Sequence, residues 1–209
     1  MAIGLISAMY LLMYILRSAL IVYLPSYLHE TCDNSRVSMI ALIIFPLAGS
    51  AGMVLVGWLS DRLNTAGRIM IVIVLTPILA ILFPLFPALY GSYRLAGVFI
   101  LGMASALLYG LESQLSSTVP VAIVGQEYSS LAAGIIDSSG SIGGALSGYI
   151  SGLIIDLYGF PQMLALWCCL LLLQVPLSLI LLSLIKRDRL TNEANFHQGQ
   201  QDTWGETTG

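Results

Sequence analysis

Six stretches of this chain are long and apolar enough to cross a bilayer, running from Ala2 to Leu28, Val37 to Leu59, Ile69 to Tyr90, Leu95 to Val119, Ser129 to Leu157 and Met163 to Ile185. A helix needs about 20 mainly apolar residues to span the hydrocarbon core, because its backbone polar groups must all be bonded within the segment. Composition agrees: 57% of the 209 residues are hydrophobic and only 9% are charged. Mean hydropathy is +0.90, a balance that no water-soluble domain of this size needs. No segment reads as a strand. The expected fold is therefore an all-α membrane protein with six transmembrane helices over residues 1–187, followed by a polar cytoplasmic tail at 188–209 without regular structure. The first helix is not read as a cleaved signal peptide, since it lacks a basic start and its apolar run is too long.

Charge and cysteine usage narrow the function further. The net charge of -3 and the scattered basic residues leave no footprint for nucleic acid. Arg36 and Arg94 fall in loops on one side, whereas Arg62, Arg68, Lys186, Arg187 and Arg189 fall on the other. The positive-inside rule then places both termini in the cytoplasm. Cys32 lies in a polar loop, and Cys168 and Cys169 are adjacent in an apolar helix. No disulfide framework, metal-ligand spacing or cofactor motif emerges, and packing is the expected role of the pair.

Arg17 stands in mid-helix, in Tyr14-Ile-Leu-Arg-Ser-Ala-Leu, with no flanking charge. An Arg at the bilayer centre costs about 2.5 to 3.5 kcal/mol on insertion scales, so it should face a polar cavity or a partner. Its planar fork matches phosphate or carboxylate oxygens, which makes an anion the natural ligand. The plainer alternatives are snorkelling and a pair with a buried acid. Glu112 and Asp137 are the carboxylates well inside the expected helices; either could neutralise Arg17 or relay protons. Around Glu112, Ser113, Gln114, Ser116, Ser117 and Thr118 make the helix end polar, as a cavity lining or as a helix emerging into the interface.

The fifth span carries Gly140, Gly144, Gly148 and Gly152, one every four residues, so that another backbone can approach along one stripe. Static packing and a smooth face for rocking both fit this pattern. The second span is its expected partner.

Between the second and third spans lies Gly57-Trp-Leu-Ser-Asp61-Arg62-Leu-Asn-Thr-Ala-Gly67-Arg68. This run resembles the Gly-x-x-x-Asp-Arg-x-Gly-Arg signature of the major facilitator superfamily, with a longer spacing between Arg62 and Gly67. The resemblance implies that Gly57, Asp61, Arg62 and Arg68 form a gating element, with Asp61 holding a basic group or a helix N-terminus. It also implies that the six helices are one half of a twelve-helix bundle, so that a second six-helix half, from the same or another polypeptide, is a partner together with the lipid bilayer.

Within that superfamily, Tyr14-Ile-Leu-Arg17 followed by Leu24-Pro25-Ser26-Tyr27-Leu28-His29-Glu30 resembles the seventh helix of organophosphate:phosphate antiporters. Ile135-Ile-Asp137-Ser-Ser-Gly140-Ser is similar to a run in the eukaryotic sugar-phosphate exchangers. The resemblance implies antiport of a small organic anion, an organic phosphate such as a sugar phosphate, with Arg17 and Tyr14 at the substrate phosphate and residence in the endoplasmic reticulum or another endomembrane. Two positions depart from it: Pro46 stands where relatives carry an acid, and Gly110-Leu111 replaces a Gly-Pro pair. Substrate selectivity could differ accordingly, toward another small organic anion. The abrupt start at Met-Ala-Ile-Gly also suits a truncated, non-transporting membrane protein. An intramembrane enzyme is disfavoured: the histidines, His29 and His197, lie at a helix end and in the tail, leaving no base beside a nucleophile.

Overall fold

The computed structural model describes residues 2–31 and 35–206, and Cys32 lies outside them. Seven α-helices and one π-helical segment make up the described chain. They are α1 (Ala2–Thr31), α2 (Ser35–Asp61), α3 (Thr65–Ser92), α4 (Arg94–Ser113), the π segment (Gln114–Thr118), α5 (Val119–Val124), α6 (Ser129–Tyr158) and α7 (Phe160–Glu206). The run from α4 through α5 is one span, so the helices provide the six crossings expected. The span boundaries extend the expected ones by a few residues, except at the end of the fourth span and in α7. The apolar part of α7 ends at Arg187, and its backbone remains helical to Glu206, where the sequence suggested no regular structure. No proline and no glycine interrupts that continuation before Gly199.

Helix ends follow local chemistry. Asn64 caps α3, its side chain accepting from the Gly67 N–H at 2.8 Å. Gly125 and Gly159 have φ of 77° and 86°, and each ends the helix before it in a conformation that other residues adopt only with strain. In the fourth span Pro120 lacks an N–H, and its ring conflicts with the carbonyl of Ser116 four residues earlier. The helix widens there, the Val119 N–H reaching back five residues to the Gln114 carbonyl.

Successive spans alternate in direction, so α1, α3 and α6 run one way and α2, α4 and α7 the other. The main packing pairs are α2 with α4, α1 with α6, α3 with α4, α3 with α7 and α1 with α7. Exchanging the first three spans for the last three carries α1/α6 onto α4/α2 and α1/α7 onto α4/α3, and leaves α3/α7 unchanged. The bundle is thus built from two three-helix units packed in equivalent ways, as in the halves of many transporters.

Tight packing matters here because lipid tails are as apolar as leucine, so contact and interhelical hydrogen bonds must hold the helices together. The interior is aromatic and aliphatic; Trp167 of α7 meets Phe83 of α3 edge-on at 5.5 Å between centroids. Leu47, Val54, Phe99 and Tyr149 point outward and are exposed, which suits lipid or another helix bundle rather than water. Cys168 is half-buried against α3, while Cys169 is exposed.

α2 and α4 approach most closely. A Cβ on Gly52 would overlap the backbone of Ala106, and one on Gly110 would strike Val56 at 2.6 Å. Ser105 donates to the Phe45 carbonyl, and Ser60 donates to the Gln114 side chain at 2.6 Å. Gln114, suggested by sequence as a cavity lining, is instead fully buried in this seam.

Candidate functional site

Tyr10, Tyr14 and Arg17 stand at positions i, i+4 and i+7 of α1, and so share one face. Tyr109 and Glu112, three residues apart, share a face of α4. The two faces meet. The Arg17 guanidinium donates through Nη1 to Glu112 Oε1, forming an ion pair between helices 95 residues apart in sequence. Both rings flank the cation, with Arg17 Cζ lying 4.9 Å from the Tyr14 centroid and 5.1 Å from that of Tyr109. Such contacts contribute about 0.5 to 2 kcal/mol each, more where water is scarce. The Tyr10 hydroxyl donates to Glu112 Oε1 at 3.4 Å.

The two charged partners are not equally enclosed. The Glu112 side chain is 5% exposed and that of Arg17 is 25% exposed, so the cation is the more accessible member of the pair. Arg17 Nε and Glu112 Oε2 are buried and have no hydrogen-bond partner among the described residues. Both groups of the pair thus keep a polar atom that no described protein group satisfies.

Asp137, on α6, is exposed and lies near Tyr10 rather than on Arg17, with no hydrogen bond to Tyr10 among the described residues. The fold thus joins Arg17, Tyr14 and Glu112 directly and brings in Asp137 through Tyr10. Sequence reading did not single out Tyr10 or Tyr109. Their spacing from Arg17 and Glu112 was the available signal.

The stretch around Asp61 lies at one end of the bundle, away from this cluster. Asp61 closes α2, is exposed and forms no ion pair among the described residues. Arg62 stacks on Trp58, its Cζ 3.9 Å from the ring centroid. Arg68 sits in the first turn of α3 and donates to the carbonyls of Leu63 and Thr118, each at 3.3 Å, tying α3 to the π segment. Only Arg62, Leu63 and Asn64 separate the two helices, so Gly67 and Arg68 belong to α3 rather than to an extended loop. Gly57 has open space beside it.

The glycine stripe of α6 faces α1, not α2 as the sequence suggested. The reason lies in the pairing of spans: α2 is already occupied by α4, and α6 occupies the equivalent place against α1. A Cβ on Gly140 would overlap the Tyr10 ring, one on Gly144 would meet Tyr14 at 3.0 Å, and one on Gly152 would meet the Tyr23 hydroxyl at 2.7 Å. Gly148 has no neighbour within 4 Å of such a Cβ, but its carbonyl accepts from Tyr23 at 2.9 Å. Three of the four stripe glycines thus make room for tyrosines of α1, two of which belong to the charged cluster.

Residues 6–204 match the family described as Major Facilitator Superfamily. A search of curated proteins found no matching sequence.

Proposed function

The chain belongs to the Major Facilitator Superfamily, a family of membrane transporters, and from that premise we propose that it is half of a secondary transporter exchanging an organic phosphate, such as a sugar phosphate, for inorganic phosphate. The protein is integral to the membrane and multi-pass. The observation that carries the proposal is Arg17: a partly exposed guanidinium inside a membrane span, flanked by Tyr14 and Tyr109. A phosphate near neutral pH carries one or two charges and loses much hydration at the midplane. Charge-assisted, bidentate hydrogen bonds from a fixed guanidinium offset that loss. One Arg neutralises only part of a dianion, so the second six-helix half, from the same or another polypeptide, contributes a further cation. The resemblance to sugar-phosphate exchangers extends the proposal to an endomembrane, the endoplasmic reticulum among them.

Exchange in proteoliposomes holding the complete twelve-helix assembly tests this. Labelled phosphate is supplied outside, with glycerol phosphate or a hexose phosphate inside, and a dicarboxylate serves as the competing organic anion. Arg17→Lys keeps the charge and loses the fork, so affinity should fall about tenfold, the equivalent of ~1.4 kcal/mol. Arg17→Gln should abolish exchange. Wild-type rate and affinity in Arg17→Gln would make Arg17 a structural residue and remove the basis for the phosphate assignment. Preference for the dicarboxylate would transfer the site to carboxylate anions.

A further inference from the structure

The two tyrosines that flank Arg17 are each seated on glycine of the next helix. Tyr109 of α4 rests on Gly49 of α2, where a Cβ would come 2.9 Å from the ring atoms Cγ and Cδ2 and as near to the Ser105 hydroxyl. Tyr14 of α1 rests on α6, where a Cβ on Gly144 would come 3.0 Å from Cε1 and one on Gly140 would come 3.2 Å from Cδ2. α2 and α6 hold equivalent places in the two three-helix units, so the same arrangement recurs on both sides of the cation. Neither ring has open space on every other side. Phe45 stands edge-on to Tyr109 at 6.0 Å, and Ser105 is engaged with the Phe45 carbonyl. Tyr10, itself buried, lies 5.7 Å from Tyr14 between centroids. Among these neighbours the guanidinium alone ends a flexible, partly exposed side chain, so a push on either ring is passed to Arg17.

We propose that Gly49 and Gly144 are positioning residues of the anion site, which seat Tyr109 and Tyr14 and thereby fix the orientation of the Arg17 guanidinium. The inference rests on the reading of Arg17 as the anion site. A guanidinium grips an oxyanion through a planar fork, and a fork already held in the productive orientation loses less freedom on binding. The two glycines differ in what they touch. Gly49 lies against Cγ, the root of the Tyr109 ring, which moves only when the whole ring moves about χ1. Gly144 lies against the edge of the Tyr14 ring, which a turn about χ2 clears. Gly49 should therefore be the less forgiving of the two, although no glycine repeat marks it.

Exchange in proteoliposomes holding the complete assembly, with phosphate varied, tests the positioning. Gly49→Ala should raise the half-saturating phosphate concentration about tenfold, for a displacement of a few tenths of an ångström, and leave the maximal rate nearly unchanged. In Tyr109→Ala, which has no ring to push, adding Gly49→Ala should change affinity no further. Gly144→Ala should act in the same sense by less, and lose its effect in Tyr14→Ala. Gly102→Ala is the control, because it crowds Ile44 at 3.1 Å in the same α2/α4 seam, away from the cluster, and should leave affinity as it is. An equal effect of Gly49→Ala with and without the Tyr109 ring, or the same loss in Gly102→Ala, would reduce Gly49 to packing and overturn the proposal. Where Gly49→Ala does not fold, the Gly144 and Tyr14 pair decides by the same criterion. A second measurement needs no anion. In the full chain in detergent, Gly49→Ala should lower the thermal midpoint less in Arg17→Gln/Glu112→Gln than in wild type, since the guanidinium being pressed is gone. An equal fall in both would show that Tyr109 does not bear on Arg17, and the proposal would fail. If this coupling is present and only a dicarboxylate is exchanged, the phosphate assignment fails while the positioning stands.

Discussion

At the α2/α4 seam a methyl group on Gly52 would overlap the backbone of Ala106, whereas at the α1/α6 seam one on Gly144 would meet a ring carbon of Tyr14 at 3.0 Å and the Ser18 hydroxyl at 3.2 Å. The two pairs are equivalent under exchange of the three-helix units, and both are parallel and glycine-rich, yet they are packed differently. α2 and α4 meet backbone to backbone at Gly52, with the Tyr109 ring against Gly49, the Val56 side chain against Gly110, and Ser60, Gln114 and Ser105 completing the seam. In the α1/α6 seam backbone lies against a glycine only at Gly143, outside the four-residue row, where an added methyl would come 2.7 Å from the Leu11 carbonyl. Elsewhere α6 meets tyrosine side chains, which can swing. A backbone contact has one geometry, and a ring against a glycine has several. The α2/α4 pair is therefore the fixed wall, and the α1/α6 pair, where Tyr10 and Tyr14 of the charged cluster lie against glycines, is the more yielding one.

The largest effect should come from the fixed wall. Gly52→Leu has no flexible neighbour to displace, and no folded protein should be recovered; a monodisperse, thermally stable Gly52→Leu would dissolve the distinction between the seams. Next is the ion pair. Glu112→Ala leaves a half-buried guanidinium without its partner, which costs about 3 to 5 kcal/mol for a buried pair and less here because Arg17 is partly open. Denaturant titration in detergent should therefore rank Glu112→Ala well below Arg17→Gln/Glu112→Gln. Equal stability would show that the pair contributes nothing to the seam.

Gly144→Leu should fold and lose transport, because the added side chain pushes Tyr14 against Arg17 rather than helix against helix. Gly148→Ala, with open space beside it, should change neither property. Expression as aggregate for Gly144→Leu, beside normal Gly148→Ala, would mean that the α1/α6 seam is as rigid as its counterpart. Smallest is Tyr23→Phe, which removes the hydrogen bond to the Gly148 carbonyl. Such bonds in membrane proteins contribute about 0.6 kcal/mol on average, so the thermal midpoint should fall slightly.

The six spans were legible because a hydrocarbon solvent imposes one requirement on composition over one length, and the chain satisfies it six times. Arg17 was legible for the converse reason, as a charge where the solvent forbids one. Which acid meets it was not, since Glu112 and Asp137 both lie deep within spans and only the placement of α4 and α6 around α1 separates them. The glycine row announced a close neighbour but could not name it: a four-residue repeat records a smooth face, and the identity of the opposite face belongs to the pairing of helices. The tighter α2/α4 seam escaped notice altogether. Gly49, Gly52 and Gly110 are irregularly spaced and divided between two spans, so no repeat marks them. Gln114 looked like part of a wet surface for a similar reason, because polarity along a sequence does not say which side of a helix is closed.

The π segment at residues 114–118 contains, in effect, one residue more than an α-helix between Glu112 and Val119 would hold. A regular helix turns about 100° per residue, so a helical wheel drawn straight through from Arg94 to Val124 assigns the residues beyond Thr118 to the wrong face by about that angle. The surplus is also removable. Deleting one residue within Gln114–Thr118 would let the span close as a plain helix, swinging Val119–Val124 about the axis and carrying Thr118 off its contact with Arg68. Length, and not the identity of any side chain, is what keeps the two ends of the fourth span in phase with their neighbours. Insertions and deletions in these five positions should consequently be tolerated far less well than substitutions there.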